Sequence, residues 1–120
     1  HIGGVIYFAR NVANTKQVAE LSSSLQAIAE RSGTVPLWIS IDQEGGMVAR
    51  ITEGVALMPG SMALAAGDAG PEGAYEAALI SGKELRALGI NLNFAPDLDV
   101  NNNPDNPVIG VRSFGESPEH

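Results

Sequence analysis

Ile39-Ser40-Ile41-Asp42-Gln43-Glu44-Gly45-Gly46 decides how this chain folds: a short apolar strand stops on two acids and a pair of glycines. In parallel α/β proteins the C-terminal ends of strands carry the polar groups that meet ligands. The glycines permit a sharp turn and are expected to leave room beside the carboxylates. A hydrophobic strand that ends on a carboxylate reads as the edge of a binding site.

Working outward, Val5 to Phe8 is an apolar run after Gly3-Gly4, as expected of a buried strand. Asn14 and Gln17 have the spacing of a capping box, and Val18, Leu21, Leu25 and Ile28 follow at helical spacing until Gly33 supplies the stop. Ser22-Ser23-Ser24 is expected largely on the solvent side of that helix. Leu37 to Ile41 reads as the second strand, entered through Pro36. Pro71, a favourable first helical position, opens a second helix that runs to Leu88 and ends at Gly89. Its stripe is Ala74, Ala77, Ala78, Leu85 and Leu88, and the small Ala residues with Gly82 would let it sit close to a sheet. Ile90 to Ala95 is the third expected strand, ending in Pro96-Asp97-Leu98-Asp99. Strand–helix–strand–helix–strand with crossovers of this length implies parallel pairing. Three parallel strands cannot close a barrel, so part of an eight-stranded (β/α) barrel and part of an open doubly wound sheet both fit.

The bulk properties remove several function classes. The 120 residues carry a formal charge of −7 and no basic cluster, which argues against nucleic acid as a partner. With no cysteine there is no disulfide, zinc–thiolate site or thiol nucleophile. No apolar run approaches the roughly 20 residues that span a bilayer. The chain lacks an initiator Met, opens almost directly into a strand and stops at Ser117-Pro118-Glu119-His120, which resembles the approach to a helix. It is therefore expected to be a piece of a longer protein, with any leader or anchor upstream.

Asp42 and Glu44 follow the second strand, and Asp97 and Asp99 the third, so all four are expected on one rim. Several acids there suit sugar hydroxyls or a metal, although each alone could simply cap a turn. Asp97 to Asn103 imitates the start of a calcium loop, yet Asn102 stands where glycine is needed and Val108 where a bidentate Glu is needed. An Asx-rich turn network is the better account. The run from Asn103 to Phe114 is a long rim loop stiffened by Pro104 and Pro107, and such loops usually carry function. Arg112 is its one cation, either a ligand clamp or half of a buried ion pair. Gly45-Gly46 has the spacing of neither a dinucleotide fingerprint nor a P-loop, and His1 and His120 are too terminal to place in a Ser–His–Asp set.

The strings IDQEGGMVARI, FAPDLDVNNNPDNPVIGVRSF and GGVIYFARNV resemble glycoside hydrolase family 3, in particular its bacterial β-N-acetylhexosaminidase branch with the NagZ-like enzymes. The resemblance runs the length of the chain, with the motifs in the family's order. It implies an α/β fold, a fragment of a (β/α)8 TIM-type barrel covering about strands 2 to 4 with their helices. Residues 1–120 would then be part of a single catalytic barrel domain, incomplete at both ends. It further implies a retaining mechanism through an aspartate nucleophile, with removal of terminal β-linked N-acetylglucosamine from cell-wall or chitin-like saccharides. Carried over by position, Asp42 matches an aspartate that binds hydroxyls on the far side of the terminal sugar, Arg50 an arginine of the same site, and Arg112 a third sugar contact. Glu44 and Asp97 match motif positions expected to organise the rim. No residue here matches the nucleophilic Asp, the His–Asp acid/base loop or the Lys-His sugar motif, so the fragment alone is expected to be inactive. Neither cofactor nor metal is implied, and the expected partner is a carbohydrate. A β-glucosidase or β-xylosidase of the same family, or a non-catalytic carbohydrate-binding barrel, are the alternatives. The Asn-rich loop leans toward the extracytoplasmic, secreted or lipid-anchored type, with a cytoplasmic location the alternative.

Overall fold

A computed structural model of the chain describes residues 2–118. His1 and His120 lie outside them. In chain order the elements are β1 (Gly4–Tyr7), a 3₁₀ turn (Ala9–Asn11), α1 (Thr15–Arg31), β2 (Trp38–Ile41), α2 (Ser61–Ala66), α3 (Gly70–Ala87), β3 (Leu92–Asn93) and a second 3₁₀ turn (Gly110–Arg112). The strands form one parallel sheet in the order β1-β2-β3, with Val5 opposite Ile39, Tyr7 opposite Ile41, and Ile41 opposite Asn93. No helix among the described residues is long and apolar enough to cross a membrane.

Alternation along the strands puts Val5, Tyr7, Ile39 and Ile41 on one face. Tyr7, Ile39 and Ile41 join Val18 and Ala29 of α1 and Leu85 of α3 in one buried cluster, which Ile51 and Ile90 extend. Both helices therefore cover the same face. A Cβ on Gly89, just past α3, would meet Ser22 of α1 at 2.7 Å, so the two helices are close neighbours. Strands in sequential order with both helices on one side, and no switch point between them, have the geometry of a barrel wall rather than of a doubly wound sheet. The opposite face agrees: Ile6 is exposed and Trp38 is 61% exposed on it. That is the face a closed barrel fills with its own side chains.

Local chemistry fixes α1 much as its spacing implies. Asn14 Oδ1 accepts from the Gln17 amide at 2.9 Å, and Gln17 Oε1 accepts from the Ala13 amide at 3.1 Å. Ser22 departs from expectation. It is buried, with its hydroxyl donating to the Val18 carbonyl at 2.9 Å and lying 3.1 Å from Tyr7 Oη. At 3.6 residues per turn position 22 belongs to the stripe of Val18 and Ala29, and only Ser23 and Ser24 face solvent.

Three other expectations need correction. β3 pairs over two residues instead of six. Asn91 and Phe94 still donate backbone amides to the Ile39 and Ile41 carbonyls, but the Ile39 and Gln43 amides are taken by the Asn91 and Asn93 side chains in place of backbone carbonyls. In α3 only Leu85 is buried, with Leu88 packed against the cluster. Ala74, Ala77, Ala78 and Gly82 line an open cleft, so the front of that helix stands off the sheet. The six-residue α2, between Gly60 and Gly67, is an additional element too short to show a period in the sequence.

Candidate functional site

The glycine pair after β2 serves a backbone approach. Gly45 and Gly46 take φ of 93° and 55°, and a Cβ would lie 2.6 Å from the Pro59 carbonyl oxygen or 2.8 Å from Gly60 Cα. The Gly46 amide donates to the Met58 carbonyl at 2.9 Å. The space expected beside the acids is thus filled by the returning chain at Met58-Pro59-Gly60. Its effect is to fold residues 44–60 into a tight lobe on the end of β2.

Two arginine–carboxylate assemblies stand on that end. In the first, Arg50 Nη2 donates to Asp42 Oδ2 at 2.9 Å, with side chains 29% and 24% exposed. Among the described residues no hydrogen bond reaches Asp42 Oδ1, and Arg50 Nε is buried without a partner. This pair is half-open, with acceptor and donor capacity to spare.

The second assembly is closed. Arg112 Nε and Nη2 donate to Glu44 Oε2 and Oε1 at 2.9 and 2.8 Å, a parallel fork, and Nη2 lies 3.0 Å from Asp97 Oδ2. Glu44 and Asp97 are nearly buried, at 8% and 4% side-chain exposure. Nη1 reaches the Val108 carbonyl at 3.3 Å, while Asp97 Oδ2 is buried without a hydrogen-bond partner and meets Nη2 only as an ion pair. Of five guanidinium N–H groups two therefore stay outside hydrogen bonds, one on Nη1 and one on Nη2 beside Asp97. Hydrogen bonding to Glu44 raises the pKa of Arg112, which keeps it cationic. Asp99 holds its proton above the ordinary carboxylate range, first because its side chain hydrogen-bonds Asp97, then because the Asp97 charge repels a second one. Ser113 ties the loop down, donating to the Asp99 carbonyl at 2.6 Å and accepting from the Gly115 amide at 3.2 Å. The Asx turns are present: Asp97, Asn103 and Asn106 each accept an amide two residues ahead.

All five rim residues therefore gather on the ends of β2 and β3, as two separate groups: Asp42 with Arg50, and Glu44 and Asp97 with Arg112. What the residue pattern did not disclose lies between them. Gln43 is buried, and its Oε1 accepts from the Arg50 and Ile51 amides at 2.8 and 3.1 Å while Nε2 donates to the Ile51 carbonyl at 2.7 Å. Asn93 in turn accepts from the Gln43 amide at 2.9 Å and donates to its carbonyl at 3.0 Å. One signal was available. The period of two that aims Asp42 and Glu44 at the rim sends the intervening Gln43 inward, where an amide needs partners.

Two clefts adjoin the rim. One, of about 520 Å³, lies between α2, α3 and the strand ends and is lined by Glu44, Asn93, Leu57, Ala77 and Phe114 among others. The other, of about 440 Å³, is walled by Met47, Met62 and Val111 with Glu44 and Arg112. Asp42 and Arg50 line neither. Fixed guanidinium and carboxylate groups can grip a neutral polyhydroxylated ligand through charge-assisted hydrogen bonds. Among the described residues no group of three or more His, Asp or Glu is placed to hold a metal ion.

Residues 1–120 match the model of the glycosyl hydrolase family 3 N terminal domain. A beta-hexosaminidase A of Pseudoalteromonas piscicida is 52% identical over 121 residues, covering 98% of this chain and 20% of the relative. A glycoside hydrolase family 3 beta-N-acetylglucosaminidase structure from Paenibacillus sp. str. FPU-7 superposes with a TM-score of 0.94 at 67% identity, over 99% of this chain and 22% of that one. Native NagZ from Neisseria gonorrhoeae gives 0.84 at 35% identity, over 98% and 35%. The chain thus spans a fifth to about a third of the length of these relatives.

Proposed function

The chain belongs to glycoside hydrolase family 3, and from that premise we propose that it is one part of a catalytic barrel that removes terminal β-linked N-acetylglucosamine from cell-wall or chitin-like saccharides. Asp42 and Arg50 hold hydroxyls on the far side of the terminal sugar, and Arg112 adds a third contact. Glu44 and Asp97 organise the rim by holding Arg112. The observation that carries this reading is the half-open Asp42–Arg50 pair on the strand ends, which keeps spare donor and acceptor capacity where a neutral sugar would lie. The names of the relatives support the acetamido sugar over glucose or xylose. Exposure of Trp38 on the helix-free face supports further strands completing the barrel. An extracytoplasmic location rests on the likeness of the Asn-rich loop alone.

No nucleophile or acid/base residue has been placed among these residues, so the 120-residue chain by itself is expected to hydrolyse no glycoside. Turnover by the purified chain would overturn that division of labour. The deciding assay compares aryl β-N-acetylglucosaminide with aryl β-glucoside in the full-length protein that carries this chain. Selective cleavage of the acetamido sugar is expected. Preference for the glucoside would change the substrate, and cleavage of neither by a folded protein would leave a binding-only barrel.

A further inference from the structure

Arg50 and Arg112 are held in opposite ways. Glu44 grips the Arg112 guanidinium by two N–H groups, so the side chain is fixed at its head. The Arg50 head makes one hydrogen bond, to Asp42, and its Nε has no partner. A single bond leaves a guanidinium free to pivot about it. What fixes Arg50 is its backbone: the Arg50 amide, the Ile51 amide and the Ile51 carbonyl all end on the Gln43 side chain. Gln43 is itself fixed through its own backbone by Asn93, 50 positions later. The loop after β2 thus has a side-chain amide where a sheet would supply a neighbouring strand, and Ile51, buried in the core, locks the next residue.

We infer that Gln43 and Asn93 are positioning residues that set the aim of Arg50 at Asp42, and with it the enzyme's discrimination at the far side of the sugar. The inference rests on the proposed sugar grip of Asp42 and Arg50. If that grip reads the hydroxyl opposite the anomeric carbon, it separates N-acetylglucosamine from its 4-epimer, N-acetylgalactosamine, which differs only there. Loosening Arg50 then removes the distinction without touching a group that contacts substrate.

The test uses the full-length protein, with Gln43→Leu, Gln43→Glu and Asn93→Asp compared on aryl β-N-acetylglucosaminide and aryl β-N-acetylgalactosaminide. Gln43→Leu orphans three backbone groups; should it fail to fold, the two acidic variants keep the acceptor and lose the donor, and carry the same test. The ratio of the two kcat/KM values is expected to fall by about tenfold toward unity, through KM more than kcat. Gln43→Glu should regain discrimination as pH falls and its carboxyl protonates, since a protonated acid can again donate to the Ile51 carbonyl. An equal loss on both substrates, or an unchanged ratio, would show a fold-only role and overturn the inference. A crystal structure of whichever variant folds separates this from failure of the sugar reading. Arg50 should leave Asp42 while Arg112 stays on Glu44, whatever the substrate proves to be; Arg50 unmoved would also overturn the inference.

Discussion

Arg112 reaches back 68 positions to grip Glu44 through two parallel hydrogen bonds, from Nε at 2.9 Å and from Nη2 at 2.8 Å. With Glu44 almost buried, removal of one partner leaves an uncompensated charge in a poorly solvated place. Glu44→Ala is expected to destabilise the full-length protein by about 3 kcal/mol, read from urea unfolding. Arg112→Lys keeps the charge but loses the fork, because an ammonium cannot make two parallel bonds and still reach Asp97. Its KM should rise by about tenfold or more while kcat changes less.

Asp42 stands apart from that buried assembly, so its loss should be felt in binding more than in folding. Asp42→Ala is expected to raise KM and lower kcat/KM by about 2 kcal/mol, as for a hydrogen bond to a charged group. Steady-state kinetics of the variant at wild-type values would remove Asp42 from the site.

Asp99 gives the rim a pH dependence of known sign. Its folded pKa is raised, so between the ordinary value of 3.8 and the raised one the folded state binds more protons than the unfolded state. Stability from this group is fully present below the ordinary value and is lost as pH rises through that window. Asp99→Asn keeps a donor for Asp97 and removes the like charge. The variant should melt at or above the wild-type temperature at neutral pH, with the difference vanishing in acid. Thermal melts across pH 3 to 7 would check this, and a variant uniformly less stable would contradict the shared-proton account.

Gly46 and Gly110 separate conformational strain from collision. Both take positive φ, 55° and 45°, but a Cβ on Gly46 would sit 2.8 Å from Gly60 Cα while one on Gly110 meets nothing within 4 Å. Gly110→Ala should cost about 1 kcal/mol for the left-handed backbone alone. Gly46→Ala adds a backbone clash and should cost about 3 kcal/mol, seen as a lower denaturation midpoint.

Much of the fold could be read from local pattern. The strand cores at Val5 and Ile39, the Asn14 cap and the order of elements follow from periods of 2 and 3.6 that a few neighbouring residues reveal. The same logic placed Asp42, Glu44, Asp97 and Asp99 at strand ends. What it could not supply was partnership across distance. Arg112 could be narrowed to a clamp or an ion pair, but its choice of Glu44 is settled by how a loop folds over β2. Gln43 and Asn93 leave no such signal, because neutral amides carry no charge pattern. Ser22 sits inside because its helical angle, not the polarity of its serine neighbours, decides which face it takes. β3 is shorter than its pattern implies because the Asn91 and Asn93 side chains accept the Ile39 and Gln43 amides that backbone carbonyls of a longer strand would take, while backbone bonds persist from Asn91 and Phe94.

Those amides also alter how the molecule should exchange hydrogen with solvent. The Arg50 and Ile51 N–H groups belong to no helix or strand, yet both end on Gln43, and the Leu37 and Ile39 N–H groups are capped likewise by Gln26 and Asn91. In deuterium oxide these amides should be retained alongside those of β2, while the loop from Asn103 to Val108, whose Asx turns face water, loses its label early. A map of slow exchange would therefore draw the strand boundaries several residues beyond where backbone pairing puts them.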